Sequence, residues 1–130
     1  MDADAFLHDH LWAVLATSRR DGSPQQSMVG YVVDDDGRIV VSTKSYTAKW
    51  KNAVRHPQVS LTVADGRVHL VVYGVAEAVD RDPERAELTA DVFARLSGGD
   101  RPDPGAIVEL LDQQERAVLR ITPTSRVFHE

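Results

Sequence analysis

The sequence predicts a mainly β protein with additional helices, in which six antiparallel strands close into a small barrel and the helices pack outside it. Six β-rich runs are distributed along the 130 residues. Two pairs of neighbouring runs are joined by short turns that contain Asp and Gly, which is typical of hairpins. Two other segments begin with Asp-Pro, a common helix start. No linker or repeat divides the chain, so we expect residues 1–130 to form one domain.

The first half of the chain is predicted to hold two helices and three strands. In chain order these are a helix at 3–9, strands at 11–17, 25–33 and 38–43, and a helix at 46–55. The run at 11–17 is continuously apolar, which favours a buried strand. The sequence Asp-Asp-Asp-Gly between the next two runs favours a hairpin turn. His56-Pro57 ends the second helix, because a residue before proline disfavours the helical conformation.

The second half is predicted to hold three strands and two helices. In chain order these are strands at 58–64 and 68–79, a helix from Asp82-Pro83-Glu84 to Gly98-Gly99, a shorter helix from Asp103-Pro104, and a strand at 117–128 interrupted at Pro123. Asp82 is expected as the N-cap and Pro83 as the first helical residue. The apolar faces of these helices are predicted from helical spacing at Leu88, Val92, Phe93 and Leu96 and at Ile107, Leu110 and Leu111. Trp12 and Phe93 are predicted core residues.

The composition excludes several classes of protein. The chain has no Cys, which excludes disulfides, thiolate chemistry and Cys-ligated metals. No stretch approaches the ~18 apolar residues of a membrane span, and the charged start is unlike a signal peptide, so we expect a cytoplasmic protein without a membrane partner. His8 and His10 lie two apart on a predicted helix and do not face each other, so no metal site is predicted.

The charges are unevenly distributed along the chain. The net charge is −5, yet residues 37–64 contain five basic residues and no acidic one, so this basic segment carries +5 and the rest carries −10. The basic residues are Arg38, Lys44, Lys49, Lys51 and Arg55. The acidic remainder argues against nucleic-acid binding, which depends on neutralising phosphates.

Lys49 and Lys51 lie in the first turns of the predicted helix at 46–55. The helix dipole disfavours cations there, whereas the free N–H groups of a first turn favour an anion. The residues alone leave two interpretations open, an anion-binding site or a solvated basic face.

The order and spacing of several short motifs carry a family resemblance. They are a Gly-x-Pro hairpin, a strand ending in Ser42-Thr43, a Lys six residues after that Thr, the closing His-Pro-x-Val-Ser-Leu, and the later strand VHLVVYGVAEAV. Together they resemble the pyridoxamine-phosphate-oxidase-like split-barrel family of flavin and deazaflavin proteins. The resemblance covers residues 6–80 well and 81–130 loosely. It implies a six-stranded split β-barrel that forms a homodimer with each cofactor in a groove at the interface.

The resemblance also implies a set of cofactor-contacting residues. They are Gln25, Ser27, Met28, Val29, Ser42, Thr43, Lys44, Ala48, Lys49, Lys51, Asn52 and Arg55, with His69 contributed by the neighbouring chain. Lys49 matches the family's phosphate-binding Lys. Ala48 and Ser27 stand where FMN-dependent members have Arg, and this departure weighs against FMN.

These departures resemble the short actinobacterial branch that uses the deazaflavin coenzyme F-420. Its phosphodiester and oligoglutamate tail form an extended polyanion, which the string of Lys44, Lys49, Lys51 and Arg55 suits. The implied activity is hydride transfer from reduced F-420 to an electron-poor C=C or enone of a small molecule. No catalytic residue is assigned. Tyr31, Tyr73 and His69 are candidate proton donors, each with a structural role as the alternative.

Two other functions remain open on the same fold. One is an FMN-dependent oxidoreductase. The other is a non-catalytic binder of flavin or haem, for which His56 or His69 would serve as the axial ligand. Trp50 is expected either at the dimer interface or in the substrate pocket.

Overall fold

The computed structural model describes residues 2–130, and in that range it contains four helices and six strands. In chain order the elements are α1 (Ala3–Asp9), β1 (Trp12–Ser18), β2 (Pro24–Val33), β3 (Ile39–Lys44), α2 (Ala48–Arg55), β4 (Gln58–Asp65), β5 (Val68–Val79), α3 (Glu84–Ser97), α4 (Pro104–Gln113) and β6 (Arg116–His129). The strands form a closed antiparallel barrel in the order β1-β2-β3-β6-β5-β4. The predicted fold class is therefore confirmed.

Both predicted hairpins are present. Strands β2 and β3 pair with Val33 opposite Ile39, and β4 and β5 pair with Asp65 opposite Val68. Their turns contain Gly37 and Gly66, whose φ values of 79° and 62° favour glycine.

Alternate residues of every strand point into the barrel and form the core. Leu15, Leu61, Leu70, Leu119 and Ile121 are at most 1% exposed. Burying one such side chain stabilises the fold by about 1.5–3 kcal/mol relative to its exposure. The barrel is therefore a packed core, and any ligand site must lie on its outer surface.

Helix α3 covers the outside of β2 and β3. Its Val92 is buried in a cluster with Val40 and Val118. Its Leu96 lies directly over Gly30 of β2, where an added Cβ would come within 2.4 Å of the leucine Cδ1. Gly30 thus allows a close approach between helix and strand, which places the inner side of α3 beside the ends of β2 and β3.

The start of α3 differs by one residue from the prediction. The helix begins at Glu84, and Pro83 rather than Asp82 occupies the N-cap position. The Asp82 carboxylate still accepts a hydrogen bond from the Ala86 N–H at 3.0 Å. Its position is also determined by two hydrogen bonds from the Arg85 guanidinium. The end of α3 at Gly98, with a φ of 69°, is confirmed.

Two residues with predicted apolar surroundings are instead exposed: Trp12, predicted in the core, and Leu110, predicted on the apolar face of α4. Trp12 is 55% exposed because it begins β1 on the outward side, opposite in direction to the buried Ala13. Leu110 is 42% exposed because Leu111 is the residue through which α4 reaches the core.

Strand β6 continues past Pro123 with a register shift in its pairing to β5, between Tyr73 and Gly74. This irregularity accommodates a residue without a backbone donor. Among the helices of the described chain, none has the length and apolarity needed to cross a bilayer.

Candidate functional site

A groove of about 320 Å³ lies where β2, β3, β6 and α3 meet the loop before α2. We call it the cationic groove. Its lining residues are Trp12, Met28, Val29, Gly30, Ser42, Thr43, Lys44, Thr47, Lys49, Val92, Phe93, Leu96 and Arg116. It brings together Met28, Val29, Ser42, Thr43, Lys44 and Lys49 of the predicted site. The described lining contains no Asp or Glu.

Lys44, Lys49 and Arg116 give this groove its charge. Lys44 and Arg116 lie opposite each other on β3 and β6. Burial lowers the pKa of Lys49, and the nearby charges of Arg116 and Lys44 lower it further. Burial also lowers the pKa of Arg116. None of the ion pairs found in the described part of the chain involves these three cations. An anion in the groove would therefore relieve both their repulsion and their lack of counter-charge.

The hydroxyl groups beside the end of β3 do not cap the first turn of α2. Thr47 is the N-cap of α2, but its side chain makes no capping hydrogen bond. Its Oγ1 instead donates to the Lys44 carbonyl at 2.7 Å and lies 3.3 Å from Thr43 Oγ1. The first N–H groups of a helix have no partner within the helix. Next to Lys49 they add partial positive charge at this end of the groove.

The opposite wall of the cationic groove is apolar. Phe93 and Leu96 of α3 contribute to it, together with the exposed side chains of Trp12 and Met28. The Arg116 guanidinium carbon lies 5.7 Å from the centre of the Phe93 ring. This combination of a cationic end and an apolar wall suits an aromatic ligand that carries an anionic group.

The remaining predicted residues of α2 lie on a second groove of about 660 Å³. We call it the second groove, and its lining is Arg20, Ser45, Ala48, Trp50, Lys51, Asn52, Val54 and Arg55. Lys49 and Lys51 therefore lie on different sides of α2, because each lines a different groove. Trp50 is buried against the core and borders the second groove.

Asn52 is 6% exposed and belongs to a chain of side-chain hydrogen bonds. Its amide donates to Thr17 Oγ1 at 3.2 Å, and its carbonyl oxygen accepts from Arg55 at 2.7 Å. Thr17 in turn donates to Gln25, whose amide donates to Ser27. Asn52 thus orients Arg55 toward the second groove, and Gln25 and Ser27 are joined to the same chain.

Arg38 is set apart from the other members of the basic segment. Its guanidinium forms ion pairs with Asp34 at 2.8 Å and Asp36 at 3.3 Å in the β2–β3 turn. The segment's uncompensated charge therefore lies around α2 and the end of β3.

The candidate proton donors lie away from the cationic groove of their own chain. Tyr31 is buried and donates its hydroxyl to the Leu7 carbonyl at 2.6 Å, and burial raises its pKa to about 12. His69 is the second residue of β5 and stacks on His129, with the ring centres 4.4 Å apart. Tyr73 lies on the outer surface of the same strand.

The outer surface of the barrel carries an apolar face beside the cationic groove. Met28, Val14, Thr62, Val71 and Val127 lie opposite one another on β2, β1, β4, β5 and β6. The Met28 side of this row borders the cationic groove. Exposed Tyr73 and Val75 extend the face along β5. Apart from Thr62, the named side chains of this face are apolar or aromatic.

The predicted site omits seven residues of the groove, which are Trp12, Gly30, Thr47, Val92, Phe93, Leu96 and Arg116. Phe93 is predicted in the core, but it is only partly buried and lines the groove. Arg116 stands 67 positions after Lys49 and enters the groove because β6 pairs with β3, as Lys44 opposite Arg116 shows. Trp12 is predicted in the core, but the structure places it at the edge of the groove. Position 12 at the start of a strand, before the inward Ala13, was a usable signal for an outward side chain. For Arg116 the sequence offered no local signal.

The fold and the groove together define a class: a six-stranded antiparallel barrel with a surface groove that is cationic at one end and apolar along one wall. The chain belongs to the pyridoxamine 5'-phosphate oxidase family, whose model matches residues 2–129. A comparison with curated proteins found no match.

Solved structures share the fold. A conserved hypothetical protein of Mycobacterium tuberculosis is 26% identical, with a TM-score of 0.83 over 100% of this chain and 85% of that one. An F-420 reductase is 24% identical, with a TM-score of 0.72 over 98% of each chain. HutZ, the haem storage protein of Vibrio cholerae, is 23% identical, with a TM-score of 0.69 over 95% of this chain and 89% of that one.

Proposed function

We propose that this protein is an F-420-dependent oxidoreductase that acts as a homodimer and reduces a small molecule. The observation that carries the proposal is the cationic groove, where Lys49 and Arg116 lie beside an apolar wall without a carboxylate in the described lining. The shared fold with an F-420 reductase supports it.

The donor set of the two grooves fits the proposed cofactor. Lys49, Arg116 and the Ser42 hydroxyl would hold a phosphate group, while Phe93 and Val29 would border the ring. Lys51 and Arg55 in the second groove would attract the carboxylates of the tail. The two grooves flank the start of α2, so an extended polyanion would pass the first turn of that helix. Screening by salt should therefore weaken binding.

The chain's own contribution to the reaction would be binding and positioning. When bound, reduced F-420 supplies a hydride to an electron-poor C=C or enone. Trp12 and Met28 stand at the open, apolar side of the groove and would contact the acceptor. Tyr31 is engaged with Leu7 in the core, so the proton is assigned to solvent.

A second copy of the chain would complete the site. The apolar face adjoins the cationic groove at Met28, and this face is exposed to solvent in a single chain. A groove of about 320 Å³ is at the lower end of the ~300–1000 Å³ of ligand clefts, so a partner wall would deepen it. Tyr73→Glu, in the middle of the face, should give monomers in sedimentation velocity, whereas Asp35→Lys in the exposed β2–β3 turn should leave the dimer intact. A wild-type monomer would contradict the homodimer.

FMN-dependent oxidoreduction is the second candidate, and one observation favours it. Lys44, Lys49 and Arg116 converge on one groove, which suits a compact phosphate as well as a phosphodiester. A haem site has less support, because no His lines the cationic groove among the described residues. His56 is the exposed C-cap of α2, and His69 lies at the far end of β5.

Titration with F-420 and FMN in separate experiments tests the proposal. Trp12 borders the cationic groove and Trp50 the second groove, so tryptophan fluorescence reports on both. We expect saturable quenching by F-420, weaker at high salt and with fewer glutamates in the tail. Tight FMN binding without a response to F-420 would replace the first candidate by the second. A Soret band after haem addition would indicate the haem binder.

Activity is tested by mixing the protein with reduced F-420 and a small panel of enones. We expect protein-dependent oxidation of the cofactor with a matching amount of reduced product. Binding of F-420 without turnover of any acceptor would reduce the proposal to a cofactor-binding protein.

A further inference from the structure

We propose that Arg116 is the guanidinium that anchors the ligand's phosphate group in the cationic groove, acting as a pair with Lys49. The proposal rests on the proposed function and deepens it, because it identifies the residue that binds the anionic part of the ligand. It concerns binding and requires no particular acceptor.

Arg116 differs in its surroundings from the five arginines that form ion pairs in the described part of the chain. Arg38, Arg85, Arg101, Arg120 and Arg126 each form an ion pair with at least one carboxylate. Arg116 is half-buried and forms none among the ion pairs of the described residues, and burial lowers its pKa. A guanidinium withdrawn from water without a counter-charge is costly, so an oxyanion supplied by a ligand would stabilise it.

The guanidinium is held in place while part of it stays available. Arg116 Nε donates to Gln114 Oε1 at 2.9 Å, and Nη1 reaches Ser42 Oγ at the long distance of 3.5 Å. The Phe93 ring lies on one side of it. The planar fork still has N–H donors that can engage two oxygens of one phosphate.

The backbone of Arg116 is also fixed. The buried Arg85 donates to the Arg116 carbonyl at 3.2 Å while it is itself paired with Asp82 and Asp112. The first residue of β6 is thereby tied to α3 and α4. A cation fixed at both backbone and side chain loses little freedom on binding, which favours affinity.

Lys49 supplies the second charge of the pair. Arg116 contributes to lowering its pKa, so the two cations repel each other across the groove. A phosphate between them replaces this repulsion by two attractions. Two cations, the Ser42 hydroxyl and the N–H groups at the start of α2 match a phosphate ester better than a single carboxylate.

The test compares Arg116→Gln and Arg116→Lys with the wild type, using F-420, FMN and inorganic phosphate as separate probes. Arg67→Gln, in the exposed β4–β5 turn, is the matched control. For whichever cofactor binds the wild type, we expect Arg116→Gln to raise the Kd about 10- to 100-fold, as for a charged hydrogen bond. Arg116→Lys should recover part of the loss, because it retains the charge and not the fork. Arg67→Gln should leave the Kd unchanged.

Thermal unfolding separates a binding role from a structural one. In the absence of anions, Arg116→Gln should unfold no earlier than the wild type, because it removes repulsion toward Lys49 and Lys44. Phosphate at constant ionic strength should raise the wild-type midpoint and not that of Arg116→Gln. An early-unfolding variant that still gains stability from phosphate would make Arg116 structural and overturn the proposal.

The outcomes distinguish this proposal from the proposed function. If wild type binds neither F-420 nor FMN, but phosphate stabilises it through Arg116, the phosphate anchor stands and the F-420 function falls. If F-420 binds equally well to Arg116→Gln, the function stands and the anchor falls. A wild-type chain that responds to none of the three probes overturns both.

Discussion

Two arginines that meet near the start of β6, Arg85 of α3 and Arg116 of β6, have opposite surroundings. Arg85 lies against the backbone of residue 116, donating to its carbonyl, and its guanidinium is paired with Asp82 and Asp112. The side chain of Arg116 itself points into the cationic groove, where no carboxylate is found in the described lining. Correspondingly, hydrogen bonding to Asp82 raises the pKa of Arg85, whereas burial lowers that of Arg116.

The difference separates charge that stabilises the fold from charge that is available to a ligand. Asp82 and Asp112 satisfy Arg85, so the Arg85 cluster joins α3, α4 and β6 and needs nothing from solution. Lys49 and Arg116 repel each other, and neither has a carboxylate partner among the ion pairs of the described residues. Arg85, whose charge is paired, therefore fixes the backbone of Arg116, whose charge is not paired among the described ion pairs.

The largest expected effect on stability comes from breaking the ion pairs of the Arg85 cluster. Arg85 is 6% exposed, and Arg85→Met would leave two carboxylates without their partner. We expect a loss of about 3 kcal/mol in the free energy of unfolding, measured by urea denaturation. Arg101→Met is the control, because Arg101 also pairs with two carboxylates but at an exposed position, where a loss below ~1 kcal/mol is expected. Equal losses would mean that burial of Arg85 is unimportant.

The next largest effect is on ligand affinity and concerns Lys49, the partner of Arg116 in the cationic groove. Lys49→Ala should weaken F-420 binding by about 1.5–3 kcal/mol, because a charged hydrogen bond to the ligand is lost. Calorimetric titration would measure it. Lys51→Ala is the matched control across α2, and its exposed side chain should contribute less than ~1 kcal/mol. Unchanged affinity in Lys49→Ala would mean that the basic segment is only a solvated face.

Local patterns were sufficient for most of the fold. The hairpin at Gly37 and the helix end at Gly98 follow from turn and cap preferences of single residues. The position of Lys49 at the start of α2 also follows from local sequence.

The groove required information that local patterns do not contain. Arg116 meets Lys44 only through pairing of β3 with β6. Arg38 has the same charge as Lys49 and lies in the same basic segment. It forms ion pairs with Asp34 and Asp36 of the β2–β3 turn, however, so its charge is not available in the groove. The division of the predicted site into two grooves depends on which side of α2 each residue faces. Net charge along the sequence cannot resolve these cases.

Lowering the pH should weaken the ion pairs of the Arg85 cluster. Hydrogen bonding from Arg85 holds the pKa of Asp82 below its usual 3.8. A carboxyl whose folded-state pKa is depressed contributes stability above its unfolded pKa and loses it as pH falls through the folded value. Between pH 5 and the acid limit of folding, the wild type should therefore lose up to about 1 kcal/mol more than Arg85→Met. Parallel curves for the two proteins below about pH 4 would show that Asp82 is not coupled to Arg85.

The smallest effect is a gain in stability. Lys49→Met removes a cation that Arg116 and Lys44 repel, and keeps an unbranched side chain in the groove. Without anions we expect about 0.5 kcal/mol more stability at pH 7, measured by urea denaturation. The folded pKa of Lys49 lies below its ordinary 10.5, so the penalty is full below the folded value and disappears as pH rises toward 10.5. The advantage of Lys49→Met should therefore fade with alkalinity and also on addition of phosphate, which compensates the wild-type charge. An advantage that persists in both conditions would assign it to packing, and the groove would then lack the repulsion that distinguishes it from the Arg85 cluster.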